Sequence, residues 1–332
     1  MRRSLPHLFL CFLVLLIAGG HAMADPGMLY PKDCATCHGV EQENDALPAF
    51  SESDIRASRT VAYPPGSLPD VPAAVFHGVD MMNLMMVVET GDHHVAVLDG
   101  NKLEPIHRFA SRGALQGSPQ FTPDRRYVFF AALDGWVTKF DIWNLVVVAK
   151  IRAGIHARNV AVSGDGRFVA VANAQPNTLV LLDADLRLLK VLAVTDKSGK
   201  VGSRVSAVYD AAPRKSFIAA LKDVAEVWEI SYDPTAEDIA VGMVHDFQYK
   251  EGAFVRGFLN PRRSFLSEPL DIVFFTPSYT ELVGTGRETG RCQVVNLDVR
   301  RKIADANLPC VPHPETGEDT VQKIKRSQGD AH

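Results

Sequence analysis

The sequence predicts an all-β protein of the β-propeller class. Four strand-like runs end in an aspartate, at Asp99, Asp141, Asp183 and Asp298, and the first three of these lie 42 residues apart. Between them a second element recurs, in which a turn containing aspartate separates two runs rich in Val, Phe and Tyr. Units of about 42 residues with four short strands each are typical of propeller blades.

The second element has the sequence QFTPDRRYVFFAALDG at 120–135 and AVSGDGRFVAVANAQPN at 161–177. Both stretches carry hairpin signals, because turn residues separate two runs of β-forming residues. A looser unit follows at 205–233, and a fifth ends at Asp298. We therefore expect about five blades within 84–308.

One segment interrupts the repeat after the fourth unit. The stretch 234–268 holds Pro234, Pro261 and several glycines, and we predict a long excursion loop there, since loops of that length are more often functional than incidental. A β-sandwich is the alternative fold, because its strands alternate in the same way. Sandwich strands do not repeat a whole unit at a fixed distance, however, so the propeller is favoured.

The first 24 residues have the features of a secretory signal peptide. Arg2 and Arg3 precede an apolar run at 8–18, and the sequence AMA at 22–24 has the small residues of a cleavage site. The run has about half of the ~20 apolar residues that a membrane span needs. The mature chain is therefore predicted to be exported and to have no membrane span.

The composition excludes one class of partner. The 332 residues carry 35 lysines and arginines among 39 acidic residues, with a formal net charge of −4 and 46% hydrophobic residues. The basic residues are scattered, so the chain lacks the positive patch that a nucleic-acid backbone requires. We expect no nucleic acid as a partner.

The motif Cys34-Ala-Thr-Cys37-His38 is the strongest chemical signal in the chain. Two thiols followed at once by a histidine suit haem c: the sulfurs add to the vinyl groups and the imidazole ligates the iron. A redox pair would need a thioredoxin-like context, and a zinc site would need further ligands nearby. We predict covalent haem c with His38 as the metal ligand, in the bacterial periplasm. Cys292 and Cys310 either form a bridge there or stay free.

No motif specifies the second axial ligand of the haem c iron. Met81, Met82, Met85 and Met86 follow His38 by 43 to 48 residues. Met85 and Met86 fall within the first predicted propeller strand, where a role in the core is expected. Met81 and Met82 are the remaining candidates.

These features divide the chain into five parts. They are a signal peptide at 1–24, a shortened cytochrome c segment at 25–56, a linker at 57–83, a partial propeller at 84–310 and a disordered tail at 311–332. Four prolines in AYPPGSLPDVPAA exclude a helix from that part of the linker. The tail is polar and lacks periodicity, which is typical of disorder.

Several long stretches are shared with a known family. They are PGSLPD (65–70), VVETGDHHVAVLDGNKLEPIHRF (87–109), DGWVTKFDIWNL (134–145), AGIHARNVAVS (153–163), SRVSAVYDAAPRKSF (203–217) and QVVNLDVRRKIAD (293–305). On these stretches the chain resembles the haem d1-binding propeller family, which includes cytochrome cd1 nitrite reductase and proteins of haem d1 maturation. Within the family it is most similar to the dihydro-haem d1 dehydrogenase branch. The resemblance covers about three quarters of the chain.

The resemblance implies an eight-bladed propeller that binds haem d1 over its axis and exchanges electrons with an N-terminal haem c domain. About five of the eight blades are expected here, and the cytochrome segment is shorter than the family's. The implied activity is an oxidoreductase reaction, either oxidation of dihydro-haem d1 in haem d1 biosynthesis or reduction of nitrite. Implied partners are the tetrapyrrole and a periplasmic redox partner or haem d1 maturation protein. The alternative is a truncated, non-catalytic propeller that at most binds haem or a partner.

The resemblance also assigns candidate ligand residues. Haem d1 carries several carboxylates, for which arginines at the propeller mouth make a suitable clamp. Arg112, Arg158 and Arg204 match family arginines at that mouth, and their alternative role is that of solvated surface charges. Gln116 stands where the family has a histidine; its amide can hydrogen-bond a substrate or a water but is a poor iron ligand. His313 resembles a histidine of a family motif and is expected near the cofactor.

Four other histidines are weaker candidates. His93 and His94 match family positions, but adjacent strand residues point to opposite faces of a sheet, so at most one of them approaches a cofactor. His245 is expected to be a surface or loop residue. His156 is expected to make a local structural contact.

Overall fold

The computed structural model describes residues 50–89, 91–246 and 251–306. These residues belong to one unit of the chain, which begins at Ala46. The predicted signal peptide, the haem c motif and His313 lie outside the described residues, so their predicted roles stay predictions.

The described residues form 22 β-strands and one α-helix. Numbered in chain order, these elements are α1 (Glu52–Ser58), β1 (Thr60–Val61), β2 (Leu84–Glu89), β3 (His94–Asp99), β4 (Glu104–Ala110), β5 (Leu115–Phe121), β6 (Tyr127–Ala132), β7 (Trp136–Asp141), β8 (Val146–Arg152), β9 (His156–Val162), β10 (Phe168–Gln175), β11 (Thr178–Asp183), β12 (Leu188–Ala193), β13 (Val205–Ala211), β14 (Ser216–Leu221), β15 (Glu226–Ser231), β16 (Ile239–Asp246), β17 (Glu251–Val255), β18 (Pro261–Phe265), β19 (Leu270–Phe275), β20 (Glu281–Gly286), β21 (Cys292–Asn296) and β22 (Arg301–Ala306).

The strands form five antiparallel sheets that follow one another in chain order, with one extra hairpin. The first sheet has three strands, β2 to β4. The second sheet is β5 to β8 with β1 added beside β8, and the third is β9 to β12. The fourth sheet is β13, β14, β15 and β18, and the fifth is β19 to β22. The predicted all-β fold, with repeated units of four short strands, is confirmed.

The repeated aspartates share a structural role. Asp99, Asp141 and Asp183 each end a strand, and their Oδ1 atoms accept hydrogen bonds from backbone N–H groups two or three residues further on, over 2.9, 3.2 and 2.9 Å. Such bonds fix the chain in a tight reversal. In the fifth sheet Asn296 accepts the corresponding bonds, both at 3.0 Å. The repeat position there is therefore Asn296, and the prediction of Asp298 was wrong by two residues.

The segment predicted as a long excursion loop, 234–268, contains regular structure. It holds the β16–β17 hairpin and then β18, which pairs with β15 as the fourth strand of its sheet. Pro261 is the first residue of β18, an edge strand, where a missing N–H does no harm. The fourth repeat is thus a complete sheet with a hairpin inserted before its last strand.

The hydrophobic core lies in layers between successive sheets. Val95 is buried between the first and second sheets, Ile151 between the second and third, Phe217 between the third and fourth, and Leu282 between the fourth and fifth. A sheet covered on both faces needs apolar residues at successive positions. This explains why central strands such as β14 (SFIAAL) are buried along their whole length and show no alternation.

The first sheet differs because the described residues supply only three of its strands. β3 ends in the repeated aspartate as β7 and β11 do, so β2 corresponds to a second strand and lies at the edge of its sheet. Met86 packs into the core beneath it, whereas Met85 is 42% exposed. The prediction that both methionines are core residues therefore holds for Met86 alone. Met82 is also exposed.

The N-terminal part of the described chain packs on the outside of the second and third sheets. Ser51 caps α1 in a capping box with Asp54, and Ile55 on the inner side of the helix is 2% exposed. β1 then pairs with β8, and the Arg59 guanidinium donates to the Asp185 carbonyl over 2.8 and 3.1 Å. Part of the stretch predicted as a linker, 57–83, therefore lies on the sheets.

Candidate functional site

Because neighbouring strands are antiparallel, the start of the first strand, the end of the second and the start of the third lie at the same edge of each four-stranded sheet. We call this the upper edge; it is formed by the loops at 111–114, 133–135, 153–155, 176–177, 194–204, 222–225, 266–269 and 287–291. Arg112 and Arg204 lie in these loops, while Gln116 and Arg158 are the second and third residues of β5 and β9. The structure thus brings the three predicted clamp arginines and Gln116 to the same edge.

The first strands lie side by side. The Asn159 amide in β9 donates from Nδ2 to the Val208 carbonyl over 2.8 Å and accepts at Oδ1 from the Val208 N–H over 3.0 Å. Gly117 of β5 lies against the same side chain, since a Cβ there would be 2.8 Å from the Asn159 Cβ. Its φ of +70° also favours glycine. Gln116 and Arg158 immediately precede these two residues, so they lie on neighbouring strands.

Arg158 carries a charge that no described residue balances. Its side chain is half-buried in β9, and it makes no hydrogen bond or ion pair among the described residues. A guanidinium group stays protonated at any physiological pH. A half-buried, unpaired guanidinium is therefore a ready binding group for a carboxylate.

Arg204 is already paired. Its Nε and one terminal nitrogen donate to the two carboxylate oxygens of Asp223 over 2.9 and 2.7 Å, and its backbone N–H donates to the same group over 2.9 Å. Burial raises the pKa of Asp223, but these bonds outweigh the burial and the net pKa lies below its ordinary value. Asp223 is thus ionised, and the Arg204 charge is shared with it.

Arg112 is held more loosely and is half exposed. Its Nε lies 3.3 Å from a carboxylate oxygen of Asp134, and its guanidinium lies 4.2 Å from the ring centre of Trp136. Stacking on an indole favours a cation without occupying its hydrogen-bond donors. Arg112 therefore keeps donors free for a ligand at the upper edge.

The fifth sheet has a buried carboxylate at this edge. Glu268 is 4% exposed and accepts hydrogen bonds from the Thr289 N–H and hydroxyl over 2.9 and 2.8 Å, from the Glu288 N–H over 2.8 Å and from Gln293. Burial raises its pKa, but the bonds from Thr289 and Glu288 outweigh the burial and lower it overall. The upper edge of the fifth sheet therefore holds an anionic group, in contact with a loop that also carries Arg287 and Arg291.

Comparison with known proteins identifies the family. The sequence pattern of the Cytochrome D1 heme domain family matches residues 79–325. The chain belongs to this family. The predicted resemblance is thereby confirmed, and with it the propeller class of the fold.

Individual relatives of this haem d1 domain agree. The chain is 45% identical to the Dihydro-heme d1 dehydrogenase of Pseudomonas aeruginosa over 271 residues. This match covers 81% of this chain and 50% of that protein. The chain is 32% identical over 149 residues to Protein NirF of the same organism, with 44% and 38% covered. The solved structure of Dihydro-heme d1 dehydrogenase NirN in complex with DHE matches with a TM-score of 0.70 and 44% identity, over 80% of this chain and 52% of that one. The chain spans about half the length of these relatives, or less.

The candidate histidines of this haem d1 domain do not share one location as the three candidate arginines do. His93 lies at the upper edge in the turn before β3 with a φ of +58°, and its Nδ1 is buried with no partner among the described residues. The His94 Nδ1 lies 2.8 Å from the Asp92 carbonyl oxygen. His156 begins β9, and His245 lies in β16 of the inserted hairpin. No group of three or more metal-binding side chains occurs among the described residues.

Two features of the described structure were not predicted from the sequence. The first is the pair of carboxylates Asp134 and Asp223, which hold Arg112 and Arg204; the only signal was their place in turns between apolar runs. The second is a cavity of about 390 Å³ at the opposite edge, where the buried Lys139 Nζ lies 3.1 Å from Asp185 and 4.1 Å from the Tyr127 ring centre.

No helix within the described ranges is both long and apolar enough to cross a lipid bilayer.

Proposed function

We propose that the chain binds haem d1 or its dihydro precursor at the upper edge and passes electrons between this tetrapyrrole and a covalent haem c. The family membership and the relative named Dihydro-heme d1 dehydrogenase support the tetrapyrrole, and the solved relative is a complex with DHE. The observation that carries the proposal is Arg158, a half-buried guanidinium with no partner among the described residues.

The residues have distinct proposed roles. Arg158 takes a tetrapyrrole carboxylate directly, because its donors are uncommitted. Arg112 and Arg204 take further carboxylates while Asp134 and Asp223 keep their guanidinium groups oriented. The Gln116 amide donates to the ligand or to a bound water, and His313 is a further cofactor contact proposed from the family resemblance. The residues present therefore fit the carboxylates of the group, whereas Gln116 does not supply an iron ligand.

The electron-transfer part of the proposal rests on the N-terminal motif. Cys34 and Cys37 hold haem c, and His38 ligates its iron. When bound, the two haems supply the electron donor and acceptor. The proposed setting is the bacterial periplasm, with a redox partner or a haem d1 maturation protein as the second partner, and the process is haem d1 biosynthesis or nitrite reduction.

A titration tests the proposed site. The full chain, matured with haem c, is titrated with dihydro-haem d1 by absorbance, alongside Arg158→Ala, Arg158→Lys and the control Arg167→Ala. Arg167 is an exposed arginine beside Phe168 at the opposite edge. Loss of one charge-assisted bond of about 1.5–3 kcal/mol weakens binding about 10- to 100-fold, so we expect this for Arg158→Ala, a smaller loss for Arg158→Lys and no change for Arg167→Ala. Equal affinities for all four proteins would sink the proposal.

One observation favours a second candidate function. By the family resemblance Gln116 stands where the family has a histidine, so the chain is alternatively a tetrapyrrole-binding propeller without catalysis. Under this alternative the chain binds dihydro-haem d1 but does not oxidise it when a reoxidisable haem c is present. Conversion of the bound dihydro form, followed by its absorbance change, distinguishes the two functions, and Gln116→His tests whether the side chain at this position limits the reaction.

A further inference from the structure

Arg152 links the N-terminal segment of the described chain to the upper edge. It is the last residue of β8 and pairs in register with Trp136, the ring beneath Arg112. Its Nε donates to the Asp134 carbonyl over 3.0 Å, and its guanidinium lies 5.4 Å from the ring centre of Phe50. Asp134 in turn contacts Arg112 through its carboxylate. Four residues from separate parts of the chain therefore form one series of contacts, in the order Phe50, Arg152, Asp134 and Arg112.

Helix α1 fixes the position of Arg152 within this series of contacts. The Ser58 hydroxyl, at the end of α1, accepts a hydrogen bond from the Arg152 N–H over 2.8 Å and donates its proton to the Ile55 carbonyl over 2.7 Å. Ile55 anchors the same helix between the second and third sheets. The backbone and the side chain of Arg152 are thus both fixed by residues 50–58.

The turn that carries Asp134 has little conformational freedom. Gly135 follows Asp134 with a φ of +83°, and a Cβ there would lie 2.0 Å from the Gly154 carbonyl oxygen. The Gly135 carbonyl also accepts from the Ala153 N–H over 2.8 Å. The turn that carries Asp134 is therefore pressed against the strand end that carries Arg152, so a shift of one moves the other.

We propose that Arg152 is a positioning residue that couples the docking of residues 50–58 to the orientation of Arg112. It acts through Asp134 and does not itself touch the ligand. The inference rests on the proposed function of Arg112 and deepens it: the segment that follows the haem c motif sets the geometry with which one clamp arginine meets a tetrapyrrole carboxylate. The ligand class is therefore the same, an anionic tetrapyrrole.

A double-mutant cycle in the full chain tests the coupling. Arg152→Ala is expected to weaken the binding of dihydro-haem d1 about threefold to tenfold, the effect of one hydrogen bond. In the Arg112→Ala background the same substitution is expected to change the affinity less than twofold. Equal effects of Arg152→Ala in both backgrounds would overturn the proposal, because Arg152 would then act independently of Arg112.

A second readout needs no ligand. Trp136 lies under the Arg112 guanidinium, so its fluorescence reports the position of that group. Arg152→Ala and the milder Phe50→Leu are expected to shift the emission, and the shift is expected to vanish in a Trp136→Phe or an Arg112→Ala background. An unchanged emission in both variants would contradict the coupling even if dihydro-haem d1 does not bind. The failure of this inference and the failure of the proposed function are thus distinguishable.

Two further variants separate positioning from folding. Arg152→Lys keeps a charge and a donor for the Asp134 carbonyl but lacks the planar group that stacks on Phe50, and we expect an intermediate affinity. Arg167→Ala removes an exposed, stacked arginine at the opposite edge and is expected to leave both affinity and Trp136 emission unchanged. If Arg167→Ala matched Arg152→Ala, the effect would be general destabilisation and the proposal would fail.

Discussion

Asp210 shows how burial shifts the pKa of a single carboxyl group in this fold. Its carboxylate accepts a hydrogen bond from the Tyr232 hydroxyl over 2.9 Å, and the same hydroxyl accepts from the Gly164 N–H over 3.1 Å. Burial raises the pKa of Asp210 to about 6, against the opposing effect of the bonds from Tyr232 and Gly164. The junction between the third and fourth sheets therefore contains a carboxyl that prefers its proton.

The pH dependence of stability follows from this shift. Since the folded pKa exceeds the unfolded value of about 3.9, the contribution of Asp210 to stability is fully present below about pH 4 and is lost as the pH rises through about 6. Asp210→Asn keeps the acceptor for Tyr232 without the charge, so we expect it to raise the free energy of unfolding by about 1–2 kcal/mol at pH 7.5. At pH 4 we expect almost no change. Urea unfolding at both pH values measures this.

A carboxylate of opposite behaviour provides the control. Hydrogen bonds from Ser198 and Val201 lower the pKa of Asp196 to about 2, so its contribution is present above its unfolded pKa and lost as the pH falls. Asp196→Asn is expected to lower the stability at pH 7.5 and not at pH 2. A pH profile of Asp210→Asn parallel to the wild type would contradict the assignment of Asp210.

At the scale of elements, local turn chemistry was predictable and distant pairing was not. The aspartate repeat predicted three strand ends because each Asp bonds to the backbone two or three residues away. β18 lies within a predicted loop because its partner, β15, is 30 residues or more away across an inserted hairpin. The partners of Arg112 and Arg204 lie 22 and 19 residues away, so their pairing depends on how the sheets close and not on any local pattern.

Helix α1 makes a testable contribution to the stability of the sheets. Ile55 is 2% exposed between the second and third sheets, and removing a buried isoleucine to alanine costs about 2–5 kcal/mol. We expect Ile55→Ala to lower the free energy of unfolding by this amount in urea titrations. Val71→Ala, at a position that is 64% exposed, is the matched control and is expected to leave the midpoint unchanged. Equal midpoints for both variants would mean that α1 is not docked in solution.

At the scale of the whole molecule, the two proposed haem sites are expected to be separable. The double variant Cys34→Ser and Cys37→Ser removes both thioether bonds, so we expect the covalent haem to be lost from the denatured protein, as measured by mass and by haem staining. The upper-edge arginines are untouched, and we expect dihydro-haem d1 to bind with its wild-type affinity. Retention of covalent iron porphyrin in the double variant would contradict the predicted attachment.

The chain also shows which parts of the proposed binding site a single sequence conveys. Family resemblance located Arg112, Arg158, Arg204 and Gln116, and the structure gathers all four at one edge. It did not convey that Arg204 is paired with a carboxylate while Arg158 has no such partner in the described ranges, because that difference depends on whether a turn of the same sheet places an acid nearby. Glu268 was missed for the same reason.

The lack of a partner for Arg158 within the part of the chain that the structure describes has a consequence for solution chemistry. A lone guanidinium attracts whatever small oxyanions the buffer contains, and these must leave before a tetrapyrrole carboxylate can take their place. Apparent affinity then depends on the identity of the dissolved salt and is weaker in phosphate than in chloride, since a phosphate oxyanion is the better mimic of the arriving group. Arg204 is expected to respond less to the choice of salt, because Asp223 already occupies two of its donors.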